Sequence, residues 1–424
     1  MAEQNESQTA PEKQHGFVEF IKRLGPSIIT VLAWLGAGDI ITAAVSGSSY
    51  GYALMWVLVL SYLIRFVIVN CMQRFELLNV NGEGMIHTWA KMTKLFPIVI
   101  GIGALIIGNM TVGYILLGAA QCLMWLLGFG NQVIYAAILA ILMFVLLGGS
   151  VFSKLESVFK VLVAAVVLIL IILAISCAPN PVDIAQGLLF QIPSNDGAYD
   201  VMIVILGMVG AVAGSLGNLF QGINLAEGGV RDASAYKGQT KSLLFSVIMG
   251  AILILCVWVV GAQILRPNGI EVNTIQDIGI ALEMYLGVFG AKLFYLGIGG
   301  TLFCAGASCA LGYTKLFVAN FNELFPNRKS RTERIQQDML YKVLLAIMIA
   351  VAFLWSLPMM PGQVYMTLLT NALQVFVVPV IAVGVLLVTA SKKYMGDHTN
   401  NIFENIVLAV TTVLAIVSVV QTFF

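Results

Sequence analysis

Asp39 is the residue of this chain whose position most needs a chemical explanation. It ends the stretch "GAGD", Gly36 to Asp39, inside the apolar run "IITVLAWLGAGDIITAAVSGSSYGY". A carboxylate in such surroundings is costly unless it binds a cation or pairs with a cationic side chain. The two glycines beside it favour an irregular backbone, which would free carbonyl oxygens for a ligand. Asp39 therefore predicts a buried cation site.

A second polar and glycine-dense stretch, "MVGAVAGSLGNLFQGINLAEGG", lies near the middle of the chain. Its polar side chains include Ser215, Asn218 and Gln221, and we interpret Glu227 at its end as a gate or capping residue. Interrupted helices at corresponding places in two halves of a chain are typical of transporters with a site at the membrane midplane. The alternative is close helix packing, since small residues let membrane helices approach each other.

The composition indicates a polytopic membrane protein. The 424 residues are 59% hydrophobic and only 10% charged, with a mean hydropathy of +0.95, whereas soluble domains carry about 25% charged residues. A net charge of +1 gives no reason to expect a nucleic-acid partner. The six cysteines form no CxxC pair and are interpreted as buried apolar residues.

Eleven apolar segments are each long enough to cross a hydrocarbon core of ~30 Å, and only helices satisfy the backbone there. Residues 1–24 are predicted to be a disordered cytoplasmic tail and 25–424 a transmembrane domain. Within that domain we expect one repeat over about 25–178, a second over about 198–390, and an extra helix over about 403–424. The predicted segments are 26–46, 52–70, 97–127, 133–150, 157–177, 200–224, 242–264, 285–318, 339–357, 364–389 and 403–423.

The basic residues predict the orientation. Alternate connections, beginning with the N-terminal one, hold nearly all the Lys and Arg residues, whereas the opposite side has only Arg266 and Lys292. By the positive-inside rule the N-terminus is cytoplasmic and the C-terminus outside, and we expect a bacterial plasma membrane. One basic residue, Arg65, lies inside the second span.

Four stretches of the chain carry a family resemblance. They are "LGPSIITVLAWLGAGD" with "SGSSYGYALMWVLVLS", then "FSKLESVFKVLVA", "LFCAGASCALGYTKLFVANFNELF" and "LLTNALQVFVVPVIAVGVLLVTASKKYMGDHTNN". Together they resemble the Nramp (natural resistance-associated macrophage protein) family of divalent metal transporters. The resemblance implies an all-α fold, a LeuT-like bundle of two inverted five-helix repeats plus one helix. It also implies a metal ion as the transported substrate, with no cofactor.

The chain departs from the family pattern at the metal site. The family's first helix carries Asp-Pro-Gly-Asn where this chain has Gly36 to Asp39, and its sixth carries Met-Pro-His-Asn near Ser215 and Asn218. Asn371 occupies the place of a family glutamine in helix 10. The acids that the family uses for protons in helix 3 correspond to Val112 and Ile115. The family's ligands and proton route therefore do not transfer unchanged.

The remaining groups favour a hard cation. Asp39, Ser215, Asn218, Asn371 and freed carbonyls offer oxygen donors, with Thr42 and Gln221 as further polar neighbours. Oxygen donors suit Mg²⁺ and Mn²⁺, and Mg²⁺ keeps several of its waters. We therefore predict a transporter of Mg²⁺ or Mn²⁺ that is not proton-coupled. The bilayer and a small cation are its expected partners, and no obligate protein partner is evident.

Three alternatives remain open. Asp39 and Arg65 fall at similar depth in neighbouring spans and could simply pair, since an unpaired charge there is costly. The chain could instead carry a small organic solute such as an amino acid, held at a half-helix N-terminus. It could also be a non-transporting relative. An enzyme is not expected, because the three histidines lie in the tail or in connections and no P-loop motif is present.

Overall fold

The computed structural model describes residues 37–146, 166–213, 215–228, 233–328 and 335–423. In this part of the chain the regular structure is helical, as the composition predicts. The helices are α1 Ala37–Tyr50, α2 Met55–Leu78, α3 Met85–Met92, α4 Leu95–Leu127, α5 Gln132–Leu146, α6 Val166–Ser176, α7 Pro181–Gly187, α8 Val201–Val212, α9 Asn218–Gly228, α10 Ala233–Val260, α11 Ile275–Leu324, α12 Met339–Leu354, α13 Gln363–Gln374, α14 Val378–Thr389, α15 Lys392–Met395 and α16 Ile402–Phe423.

Each of the eleven predicted apolar segments contains helix within the described residues. By length and composition, five helices there could cross a membrane, or six if the bent pair α6 and α7 counts as one span. Four further apolar helices are shorter, among them α8 and α12. Segment 364–389 counts among the five as Gln363–Thr389. Segment 200–224 does not, because it is divided between α8 and α9.

Span 6 is broken where the sequence predicts it. α8 ends at Val212 and α9 begins at Asn218. Tight turns start α9, since the Asn218 amide donates to the Ser215 carbonyl at 2.9 Å and the Leu219 amide to Leu216 at 3.0 Å. At the end of α8 the carbonyls of Ala211 and Val212 accept hydrogen bonds from side chains of other elements. In span 1 the helix α1 already includes Ala37, Gly38 and Asp39, so the irregular backbone expected at these residues is not observed. The residues before Ala37 lie outside the described part.

Segment 364–389 is also divided, which the sequence analysis missed. α13 ends at Gln374, α14 begins at Val378, and Pro379 lies in the first turn of α14. Proline lacks an amide hydrogen and its ring clashes with the preceding turn, so a helix ends before it. Pro379 was a visible signal for this break.

The longest helix, α11, has 50 residues and a sharp kink at Gly287, where φ is 66° and ψ is −175°. A positive φ of this kind favours glycine. The stretch before Gly287 is an amphipathic helix that the sequence analysis treated as a connection. It begins with a capping box in which Thr274 and Asp277 exchange hydrogen bonds.

The last helix, α16, is attached to α2 by a buried ion pair. The Arg74 guanidinium donates to both carboxylate oxygens of Glu404, at 3.0 and 2.9 Å. Asn401 caps the start of α16, since its side chain accepts from the Glu404 amide at 2.8 Å. The bidentate geometry fixes the extra helix against the second span.

Candidate functional site

Asp39 lies in the first turn of the described part of α1, facing the break in span 6. Its side chain is 4% exposed, and Oδ2 accepts no hydrogen bond. The nearest cation is Arg65 of α2, whose Nη1 lies 3.6 Å from Oδ2. The pairing alternative raised by the sequence is therefore present in the structure.

The Arg65 guanidinium binds the open end of α8 as well as Asp39. Its Nε donates to the Val212 carbonyl at 2.6 Å, and its Nη2 to the Ala211 carbonyl at 2.7 Å. Carbonyls in the last turn of a helix have no partner within the helix, and the helix dipole makes that end negative. Arg65 thus places positive charge where the carboxylate and the helix end both attract it.

Asn218 lies on the other side of the break, at the start of α9. Its side-chain amide donates to the Ala213 carbonyl at 3.1 Å and more weakly to Val212 at 3.5 Å. Its Oδ1 is buried and accepts no hydrogen bond. This oxygen is a free acceptor beside the break, available to a ligand.

Helix α13 supplies the third wall of the site. The side-chain oxygen Oε1 of Gln374 accepts a hydrogen bond from the backbone amide of Leu216, inside the break, at 3.1 Å. The side-chain nitrogen Nε2 of Gln374 donates to Asn371 Oδ1 at 3.3 Å. Asn371 Nδ2 is buried without a hydrogen-bond partner. The sequence analysis chose Asn371 but missed Gln374, because a helix-spacing pattern does not reveal a contact with a distant backbone amide.

Glycines allow the helices around the site to touch. A Cβ added at Gly38 would lie 2.7 Å from Asn371 Nδ2, and one at Gly210 would lie 1.7 Å from the Asn371 carbonyl oxygen. Any side chain at Gly210 therefore collides with backbone of α13. The packing explanation therefore holds for Gly210, and the same close packing brings polar groups of α1, α8 and α13 together.

The predicted ligand Ser215 and the predicted polar neighbour Thr42 both make local hydrogen bonds. The Thr42 hydroxyl donates to the Gly38 carbonyl at 2.6 Å, one turn back along α1. Ser215 Oγ accepts from the Gly217 amide at 3.2 Å and stabilises the turn in the break. Both residues line the region, yet their hydroxyls already have backbone partners. Gly36 lies outside the described residues, as do the side chains of Gln221 and Glu227.

Two tyrosines of the site were missed by the sequence analysis. The Arg65 guanidinium carbon lies 5.7 Å from the centroid of the Tyr62 ring, a cation–π distance. The Tyr114 hydroxyl lies 3.0 Å from the position of a Cβ at Gly38. Tyr62 is one helical turn before Arg65, and this spacing could have identified it.

The buried acceptors near the break that lack a hydrogen bond include the oxygens Asp39 Oδ2 and Asn218 Oδ1. Among the described residues no group of three or more His, Cys, Asp or Glu side chains could hold a metal ion. Val112 and Ile115, at the places of the family's proton-carrying acids, are buried apolar residues of α4. Within the described residues, the candidate site combines the Asp39 carboxylate, side-chain amide oxygens and backbone carbonyls with the Arg65 guanidinium.

The family model described as natural resistance-associated macrophage protein-like matches residues 27–424, nearly the whole chain. The chain belongs to the Nramp family. Solved structures of the manganese transporter of Eremococcus coleocola have a similar fold, with a TM-score of 0.71 at 17% identity over 98% of this chain and 89% of theirs. A structure of MhsT in complex with L-phenylalanine also matches, with a TM-score of 0.61 at 12% identity over 94% of this chain and 97% of the other. This Nramp chain thus has the LeuT-like fold.

A curated relative of this Nramp chain is the divalent metal cation transporter MntH of Staphylococcus haemolyticus (strain JCSC1435). The two are 24% identical over 216 residues, which is 49% of this chain and 45% of the relative. The match spans less than half the length of that relative.

Replacing Gln374 with leucine is expected to weaken the break in span 6. The Leu216 amide would lose its acceptor, and an unsatisfied buried donor costs ~1–3 kcal/mol. We expect a lower melting temperature in detergent and slower substrate uptake. Gln276→Leu, at an exposed glutamine of α11, is the matched control and should melt as the wild type does. Equal melting temperatures for Gln374→Leu and Gln276→Leu would contradict this role.

Proposed function

We propose that this chain is a secondary transporter of divalent metal cations, with Mg²⁺ or Mn²⁺ as substrate and a site at Asp39 beside the break in span 6. The main supporting observation is the position of the Arg65 guanidinium. It lies between the Asp39 carboxylate and the carbonyls of Ala211 and Val212. These groups surround positive charge, so a metal cation would find the same negative surroundings there.

The kind of donor supports a hard ion. The acceptors that lack hydrogen bonds include Asp39 Oδ2 and Asn218 Oδ1, and both are oxygens. Oxygen donors suit Mg²⁺ and Mn²⁺, whereas sulfur and imidazole favour later transition metals. A site with so few charges is suited to an ion that keeps part of its water shell, as Mg²⁺ does. Relatives named for manganese and for divalent metals support the same substrate class.

Val112 and Ile115 of α4 support transport without proton coupling. Both are buried apolar residues, so neither side chain can bind a proton. Flux would then follow the ion gradient and the membrane potential, worth ~2.3 kcal/mol per charge for each 100 mV. A dication gains twice that amount, so a negative-inside potential should drive its entry strongly.

Uptake by reconstituted vesicles tests the proposal. Vesicles loaded with a Mg²⁺ or Mn²⁺ indicator and a pH dye receive a negative-inside potassium diffusion potential. We expect dye signals for metal entry that disappear when the potential is collapsed, with no acidification of the lumen. Signals no larger than those of protein-free vesicles would exclude divalent transport. Acidification in step with metal entry would exclude the uncoupled mechanism.

A small organic solute is the second candidate, because Arg65 could bind a carboxylate. However, the Arg65 nitrogens Nε and Nη2 already donate to backbone carbonyls, and its Nη1 faces Asp39. A substrate carboxylate would have to displace these contacts and lie close to Asp39. Uptake of a radiolabelled amino-acid mixture, with no metal flux, would favour this candidate.

A further inference from the structure

Arg65 is the cation that the described structure places in the candidate site. Its side chain is 3% exposed, and it extends from the middle of α2 to the open end of α8. The family resemblance gave no role to this position. The guanidinium satisfies a carboxylate on one element and two carbonyls on another, which a simple surface ion pair would not do.

A transporter that carries an ion one way must also return with its site empty. An empty site with a lone buried carboxylate carries a net negative charge, and a buried uncompensated charge is strongly unfavourable. With Arg65 in place the empty site is neutral. When a dication enters, the guanidinium and the metal repel each other and compete for the same oxygens, so Arg65 must withdraw.

We infer that Arg65 is the tethered counter-cation of the empty transporter, occupying the cation position until an ion displaces it. This inference rests on the proposed transport of divalent cations and adds a mechanism to it. Arg65 would make return of the empty site fast and independent of any coupling ion. It would also weaken binding of the substrate, because each ion must displace a bound cation.

Two modes of transport distinguish the two effects of Arg65, which are faster return of the empty site and weaker binding of the ion. Net uptake requires the transporter to reorient with its site empty. Exchange of one metal ion for another does not, because the site is occupied in each reorientation. Loss of the guanidinium should therefore slow net uptake selectively. Binding should tighten at the same time, since the carbonyls of Ala211 and Val212 become free for the metal.

The test uses Mn²⁺ as the probe in vesicles that contain the full chain. Net uptake into manganese-free vesicles is compared with exchange of external labelled Mn²⁺ against internal Mn²⁺. For Arg65→Gln we expect the ratio of net uptake to exchange to fall at least ~10-fold, and the KM for exchange to fall ~10-fold, equivalent to ~1.4 kcal/mol. Arg65→Lys, which keeps the charge, should hold the ratio within ~3-fold of wild type, well under ~1.4 kcal/mol. Arg266→Gln, at an exposed arginine, is the matched control.

The outcomes are distinct. Equal loss of both modes in Arg65→Gln would mean that Arg65 only caps the end of α8, and would overturn the inference. A fall in Arg65→Lys as large as in Arg65→Gln would overturn it as well, because charge would not be the relevant property. If Arg65→Gln does not fold, Arg65→Lys decides alone, since a retained ratio supports the inference and a ~10-fold fall rejects it. Wild-type protein without flux in either mode would instead reject the proposed function.

Discussion

Replacing Asp39 with asparagine is expected to abolish divalent-cation uptake and to destabilise the protein. Asp39 is the acid that faces the end of α8, and its loss leaves the Arg65 guanidinium buried without an anion. Removing one partner of a buried ion pair costs ~3–5 kcal/mol. Uptake of Mn²⁺ into vesicles and the melting temperature in detergent measure the two effects.

A double variant separates stability from transport. Asp39→Asn combined with Arg65→Gln removes both charges, so we expect most of the lost stability to return while uptake remains absent. Asp183→Asn, at an exposed acid of α7, is the matched control and should transport normally. Uptake by the double variant at the wild-type rate would mean that Asp39 serves only to pair with Arg65.

Replacing Gly210 with alanine is expected to have the second-largest effect. The added Cβ would lie 1.7 Å from the Asn371 carbonyl oxygen, so α8 and α13 must move apart. Overpacking typically costs ~1–3 kcal/mol, and the rigid backbone on the opposing side places this substitution at the upper end. The same movement would pull Asn371 and Gln374 away from the break, so uptake should fall along with the melting temperature.

Gly238→Ala provides the matched comparison. Gly238 lies in α10, and a Cβ there meets no atom within 4 Å. Alanine is the better helix former by ~1 kcal/mol, so this variant should be unchanged or slightly more stable. If the two alanine variants melted at the same temperature, close contact between α8 and α13 would not be a requirement of the fold.

The helical framework was predictable from the sequence because membrane spans are encoded locally. A span is predicted from its own apolar residues, and the orientation from the basic residues in the connections beside each span. The glycines around Gly214 likewise mark the break in the span that contains them. The break in span 6 was found in this way. The break after Gln374 was missed although Pro379 marks it, because the surrounding apolar run was given more weight than the proline.

The site was only partly predictable. Asp39 stood out as an acid in an apolar run, and its depth relative to Arg65 suggested their contact. The bonds from Arg65 to the carbonyls of Ala211 and Val212 could not be foreseen, since backbone carbonyls are the same at every residue. The contact between Gln374 and the Leu216 amide was equally unpredictable from the sequence, because it depends on how two elements far apart in the chain pack together.

The kink at Gly287 has a practical consequence for imaging this protein. At ~1.5 Å per residue, the part of α11 after the kink is roughly 55 Å long, whereas a bilayer with its headgroups is ~40–45 Å thick. Set along the bilayer normal, this helix would extend past the headgroups, and its last turns are covered by the rest of the protein, since Val318, Asn320 and Asn322 are buried. In electron micrographs the ordered protein around this end would mark one face of the disc, giving particles a reference for alignment and an epitope for antibody fragments.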